Sequence, residues 1–207
     1  MSLVVLALVL DARFEAWLRM PEGDPYFLYA KHESRFWWLV KQPGEWWFTG
    51  LVAVMLMTLH RWGWRASVVL ILGCGISSLF TASLKWIAGR TRPIVDGSEA
   101  FAFDWFRGGL EGMFNQSNLA LPSGHATMAF ATAACLILLV PRGWWMWIML
   151  AALCAIERVV ELAHHPSDVV VGAMSGVLGL RVGVWLLLVV SGQKPLKRGR
   201  DAAQADV

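Results

Sequence analysis

The chain has 207 residues, of which 57% are hydrophobic and only 16% charged, whereas a soluble domain carries about 25% charged residues. With a mean hydropathy of +0.53, this composition excludes an ordinary water-soluble domain, and the 13 Trp against 2 Tyr suit rings placed at membrane interfaces. The net charge of +3 does not imply a nucleic-acid partner, because Lys194, Lys197, Arg198 and Arg200 are gathered in one short tail that reads as a topology signal.

Residues 1–10 are apolar but lack a basic leader, and Asp11, Arg13 and Glu15 follow where a small-residue cleavage site would stand; they are not read as a removed signal peptide. Residues 27–40 mix Phe36, Trp37 and Trp38 with Lys31, Glu33 and Arg35, which suits a helix lying in the interface. A spanning helix needs about 17 to 25 mostly apolar residues. Spans are expected at 46–59, the shortest, opened by Pro43-Gly44 and flanked by Trp62 and Trp64. The next, 66–84, carries no charge; 123–140 and 144–163 form a hairpin turning at Pro141-Arg142-Gly143; and 169–190 is interrupted only by Arg181, read as a structural charge turned into the bundle or reaching the interface. Cys74, Cys135 and Cys154 lie inside apolar stretches with no C-x-x-C pair, so neither a disulfide framework nor a zinc site is indicated.

The expected fold is an all-α polytopic transmembrane helix bundle of five spans, with a candidate sixth helix at the N-terminus. Residues 1–45 form an N-terminal interfacial or partly inserted segment, 46–192 the membrane domain and 193–207 a basic cytoplasmic tail. Arg61, Arg65, Arg142 and the tail fall on one side by alternation, and the positive-inside rule assigns that side to the cytoplasm. Lys31, Arg35 and Lys41 run against the rule, since five spans leave them outside. The long 89–121 connection, rich in Gly, Asp, Glu and Asn, then faces outward, and long loops in compact folds are usually functional.

Charged residues near the ends of apolar helices are costly unless paired or used. Three clusters hold them: Lys85-x6-Arg92-Pro93, Pro122-Ser123-Gly124-His125, and Arg158-x5-His164-x3-Asp168. Each has a bland reading: Lys85 and Arg92 as snorkelling anchors, Ser123 as a helix N-cap, Arg158 paired with Glu161, and Asp168 as a cap of the last span. Convergence on one side favours a joint role. Three cations can neutralise phosphate oxygens, and a helix N-terminus at Ser123 to His125 offers an anion site. Of the two histidines, one can attack phosphorus while Asp168 holds its other N–H, and the other can protonate the departing alcohol. No metal and no cofactor are required.

This ordered set of ten residues resembles the three-part signature of the type 2 phosphatidic acid phosphatase family, membrane lipid phosphatases related to vanadium haloperoxidases. The resemblance implies a phosphohistidine formed on His164, oriented by Asp168, with His125 as general acid and Lys85, Arg92, Ser123, Gly124 and Arg158 holding the phosphate. It implies substrates such as phosphatidic acid, phosphatidylglycerophosphate, polyprenyl pyrophosphates or lipid A phosphates. The partners are then the lipid and the bilayer, with no nucleic acid, and the location a bacterial inner membrane with the site facing the periplasm. Glu157 stands where the family usually has Ser, and is expected to face away from the phosphate. His165 occupies a position where the family commonly has an aromatic, so it reads as a packing or interfacial residue. Helical counting at about 100° per residue puts His165, not His164, near the face of Arg158; Pro166, however, should end the helix before that count holds. Vanadate-dependent halide oxidation, which membrane burial disfavours, and an anion pathway, which lacks polar groups at mid-membrane depth apart from Arg181, are the alternative functions.

Overall fold

The computed structural model describes residues 7–11, 13, 35–93, 103–106, 109 and 118–191. The expected interfacial segment before residue 35, much of the 89–121 connection and the basic tail lie outside the described residues, apart from a helical run at 7–11. Six helices follow: α1 (Arg35–Lys41), α2 (Trp46–Leu59), α3 (Trp64–Ala88), α4 (Gly124–Leu139), α5 (Trp144–Val160) and α6 (Pro166–Val190).

Helix boundaries follow local chemistry. A 3-10 turn at Gln42–Gly44 precedes α2, and α3 ends at Gly89, whose φ of 59° is left-handed and whose N–H donates to the Lys85 carbonyl at 2.9 Å, an arrangement that glycine adopts without a Cβ penalty. Ser123 caps α4, the Pro141–Gly143 3-10 turn separates α4 from α5, and Pro166 opens α6, where its missing N–H costs nothing.

Helix α6 is the hub, packing along α3 and α4. One side of it carries Gly172 and Gly176, where an added Cβ would lie 2.5 Å from the Ser123 carbonyl oxygen and 2.3 Å from that of Thr127. The next turns carry Gly179 and Gly183 against Ser77 and Gly73 of α3. Small residues let helix backbones approach where lipid provides no hydrophobic drive for association. Polar bridges pin the same seams: Ser77 donates to the Gly176 carbonyl at 3.1 Å, Thr81 and Thr127 hydroxyls lie 3.0 Å apart, and those of Thr49 and Thr132 lie 3.3 Å apart.

Large apolar side chains point outward along every long helix, among them Leu51, Leu79, Ile148 and Leu178, as expected when lipid is the solvent. Exposed Trp62, Trp64, Trp144 and Trp145 ring the end that holds the two short turns, and exposed Trp46 and Trp47 sit at the other end. The bundle is therefore the expected all-helical membrane fold, but the span lengths differ from expectation. Among the described residues, three helical segments are long and apolar enough to cross a bilayer: Trp64–Ala88, Pro141–Val160 and Pro166–Val190. Helices α2 and α4 have 14 and 16 residues, about 21 and 24 Å at 1.5 Å per residue, less than the roughly 30 Å hydrocarbon core. Both start beside residues of the candidate site, Glu45 and Ser123.

Candidate active site

The three motif clusters meet at one end of the bundle, stitched together mainly by backbone. Lys85, in the last turn of α3, donates from Nζ to the Leu119 carbonyl at 3.3 Å. Beyond Gly89, Thr91 forms an antiparallel bridge with Leu119, and the Ala120 N–H donates to the Arg90 carbonyl at 2.7 Å. The Ser123 N–H then donates to the Asp168 carbonyl at 2.9 Å, which joins the second cluster to the third. Lys85 is in the electrostatic field of Arg92 and Asp168, and Arg92 in that of Arg158, Glu161 and Asp168. Lys85, Arg92, Ser123, Gly124, His125, Arg158, His164 and Asp168 thus form one connected neighbourhood.

The second cluster is a helix N-terminus. Ser123 is fully buried, and its hydroxyl accepts from the Ala126 N–H at 3.5 Å, so its side chain serves as the cap. A Cβ at Gly124 would meet nothing within 4 Å, leaving open space beside the first amides of α4, which have no acceptor within the helix. His125 projects from the next position. Its Nε2 lies 3.0 Å from Glu45 Oε1, both side chains being about one-third exposed, at 28% and 34%. Gly44 lets this contact form: a Cβ there would sit 2.7 Å from His125 Cβ.

The third cluster is a hook. Helix α5 ends at Val160, and the N–H groups of Ala163 and His164 both return to the Arg158 carbonyl, at 3.2 and 3.1 Å; the helical count from Arg158 to His165 therefore fails, as Pro166 implies. His164 is 3% exposed, with Nδ1 3.7 Å from Asp168 Oδ2, close for an ion pair but too long for a hydrogen bond. Burial, helped by the positive charges of Lys85 and Arg92 and opposed by Asp168, lowers the His164 pKa from 6.5 to about 4. The ring is therefore neutral at neutral pH. Burial and then Arg158 also lower the proton affinity of Arg92, against Glu161 and Asp168. His165 is buried at the N-cap of α6, and its N–H donates to Asp168 Oδ2 at 2.8 Å.

Arg158 does not stand alone. Its Nε and Nη2 donate to the two oxygens of Glu157 at 2.5 and 2.6 Å, and Nη2 also pairs with Glu161. Glu157, expected to face away from the phosphate, is buried with its carboxylate paired to Arg158. Neighbours in sequence do not normally face each other on a helix, but two long side chains at the last turn of α5 fold onto one another.

Sequence reasoning passed over three residues. Glu45 precedes α2 and touches His125. Arg90, between the two cations of the first cluster, is 1% exposed and donates to Asp168 Oδ1 at 2.7 Å. Its other terminal nitrogen pairs with fully buried Asp11 at 2.8 Å. Among the described residues no group of three His, Cys, Asp or Glu side chains is placed to hold a metal ion.

A family model described as the PAP2 superfamily matches residues 62–191, which contain all three motifs. Among curated proteins, the bacitracin transport permease protein BcrC of Bacillus licheniformis is 32% identical over 66 residues, 32% of this chain and 32% of that one. A PA-phosphatase related-family protein of Dictyostelium discoideum is 28% identical over 133 residues, 54% of this chain and 43% of that one. The chain thus spans less than half the length of each of these relatives. Among solved structures, LpxE of Aquifex aeolicus superposes with a TM-score of 0.56 at 19% identity, covering 80% of this chain and 96% of that one. A transmembrane PAP2 type phosphatidylglycerolphosphate phosphatase from Bacillus subtilis superposes with a TM-score of 0.59 at 20% identity, covering 95% and 94%. At these identities the structural likeness speaks for the fold.

Proposed function

Because the chain belongs to the PAP2 superfamily, we propose that it is a membrane-embedded lipid phosphate phosphatase that works through a phosphohistidine on His164. The observation that carries this reading is a buried His164, neutral at neutral pH, set beside Asp168 in the field of Lys85 and Arg92. A neutral imidazole has a lone pair for phosphorus, and adjacent cations draw the phosphate to it.

In this mechanism Lys85, Arg92 and Arg158 neutralise the nonbridging oxygens, together with the open amides at the start of α4. His164 attacks phosphorus and the ester oxygen leaves, taking a proton from His125. Asp168 faces the developing positive charge on His164. Water then attacks the phosphohistidine, gives its proton to His125, and releases inorganic phosphate with His164 restored. Ser123 and Gly124 shape the cradle through the backbone. No step draws on a metal or a cofactor.

An apolar cavity of about 350 Å³ between α2, α4 and α5 supports a lipid substrate. It is lined by Pro43, Phe48, Val52, Ala129, Ala133 and Trp147, among others, and His60 lies at its far end. Pro43 adjoins Gly44, which touches His125. A chain attached to the oxygen that His125 protonates has its apolar bed there, over a length of about 21 Å set by α2. Phosphatidic acid, phosphatidylglycerophosphate, a polyprenyl pyrophosphate and lipid A phosphates all carry apolar chains on the leaving-group side of the phosphate. Arg61 and Arg142 occupy turns, and Arg65 the first turn of α3, at the end away from the site, which supports a site on the periplasmic face of an inner membrane. Lys41 lies on the site's side, where its charge adds to burial and Arg158 in lowering the proton affinity of His125, against Glu45.

Phosphate release by purified protein in detergent, measured with those four lipid classes in excess EDTA, tests the proposal. Release from at least one class, blocked by vanadate, is expected. No release from any of them, or activity lost to EDTA and restored by magnesium, would contradict it.

A further inference from the structure

Behind the candidate nucleophile lies a buried polar network built partly from outside the family-matched residues. Arg90 forks between two carboxylates: Nη1 donates to Asp168 Oδ1 at 2.7 Å and Nη2 to Asp11 Oδ2 at 2.8 Å. Ser167 closes the ring. It accepts from Arg90 Nη1 at 2.6 Å, donates from Oγ to Asp11 Oδ2 at 2.5 Å, and donates from its backbone N–H to Asp11 Oδ1 at 2.8 Å. Asp11, Arg90, Ser167 and Asp168 are all 1% exposed or less. Asp11 belongs to the helical run 7–11, outside the 62–191 match, and its carboxylate sits at the N-terminus of α6, where the helix dipole favours negative charge.

We propose that Asp11 and Arg90 are positioning residues for the nucleophile, holding Asp168 so that its Oδ2 faces His164. Asp168 has two oxygens with divided duties. Arg90 pins Oδ1, and this fixes the plane of the carboxylate; Oδ2 is then left with the His165 N–H at 2.8 Å and His164 Nδ1 at 3.7 Å. Without Arg90, the His165 N–H still holds Oδ2, but the plane of the carboxylate is no longer fixed against the imidazole. Without Asp11, Arg90 loses the acceptor of Nη2 and is drawn to shift from its place against Asp168. Two carboxylates and one guanidinium leave a net negative charge behind His164, which favours the positive charge that grows on the ring as it attacks. The N-terminal segment is thus part of the catalytic unit although it contributes no motif residue.

The inference rests on the phosphatase reading, and the test separates the two. Full-length protein in detergent is compared with Asp11→Asn, Arg90→Lys and the double variant, using short-chain phosphatidic acid for turnover and vanadate quenching of Trp fluorescence for anion binding. Asp11→Asn is expected to lower kcat about 10- to 100-fold, the range for outer-shell partners of a reacting group. KM and vanadate affinity should stay within about threefold, because the cations that hold the anion are untouched. Arg90→Lys, which keeps the charge and loses the fork that pins Oδ1, should lower kcat at least as much as Asp11→Asn. The double variant should fall short of the product of the two single effects. If Asp11→Asn does not fold, Arg90→Lys decides alone, and an unchanged kcat overturns the inference. An unchanged kcat in folded Asp11→Asn also overturns it, as does a loss matched by equal losses of vanadate affinity and thermal stability, which marks a structural role. A wild-type protein that neither turns over nor binds vanadate overturns the phosphatase reading itself.

Discussion

Glu157 grips Arg158 side-on, with Oε2 2.5 Å from Nε and Oε1 2.6 Å from Nη2, so one of the three cations proposed for phosphate arrives already partnered. Glu161 adds a second carboxylate to the same guanidinium. The carboxylates compete with any anion for that charge. Replacing Glu157 by Gln keeps the shape and removes one competitor, with Glu161 left to hold Arg158. We expect Glu157→Gln to tighten vanadate binding about fivefold, equivalent to roughly 1 kcal/mol for the removal of one competing charge. Arg158→Gln should weaken it by more than that. Weaker binding in Glu157→Gln would show that Glu157 aims Arg158 at the anion.

The proton affinity of His164 sets a pH limit. Its pKa is lowered to about 4, first by burial, and attack requires the neutral ring. The neutral fraction is therefore full well above pH 4 and is lost only as pH falls through that value. The acid limb of kcat/KM, corrected for the substrate's own phosphate ionisation near pH 6, is expected well below the ordinary histidine pKa of about 6.5. A limb at 6.5 or higher that remains after this correction would place the nucleophile in a more solvated setting than the structure gives it.

The order and spacing of the three motifs made most of the site legible in the sequence, because motif chemistry is local: Lys85, Arg92, Ser123, His125, Arg158, His164 and Asp168 do converge. Helix positions were legible for the same reason, with punctuation at Pro43-Gly44, Gly89, Pro141-Arg142-Gly143 and Pro166 marking the ends found. Some of the bland readings also hold, since Ser123 does cap α4 and Arg158 does pair with Glu161. Asp11 and Glu45 were not legible as site residues, for each acts across about 80 residues or more of sequence, on Arg90 and His125. A faint signal existed: Asp11 is a carboxylate at the end of an apolar run, and such a charge is costly unless paired. Arg90 was hidden by its motif, being one of the unspecified positions between Lys85 and Arg92. Its burial, not its spacing, reveals its use.

The cavity beneath His125 makes a prediction about substrate length. Ala133 lines it at 5% exposure, so Ala133→Phe fills part of it without touching the polar site. With phosphatidic acids of increasing acyl length, kcat/KM for long chains should fall about tenfold or more, a loss of roughly 1.4 kcal/mol of tail burial. Hydrolysis of a short-chain analogue should change by less than about twofold. Equal losses on both substrates would mean that the chain lies elsewhere, for instance along the second apolar cavity lined by Phe130, Ile156 and Met174.

The identity of the nucleophile is the centre of this account, and His165 beside it makes the claim exacting. Both rings are buried, at 3% and 2% exposure, but the His164 ring has Nδ1 facing Asp168 whereas the His165 backbone N–H is what reaches that carboxylate. The direct measurement is a rapid quench with lipid carrying radiolabelled phosphate, followed by mapping of the base-stable phosphoprotein. The label should sit on His164 in the wild type and in His165→Phe, which should retain most of its turnover, and should vanish along with turnover in His164→Ala. Label recovered on His165 of the His164→Ala protein, with turnover retained, would contradict the account.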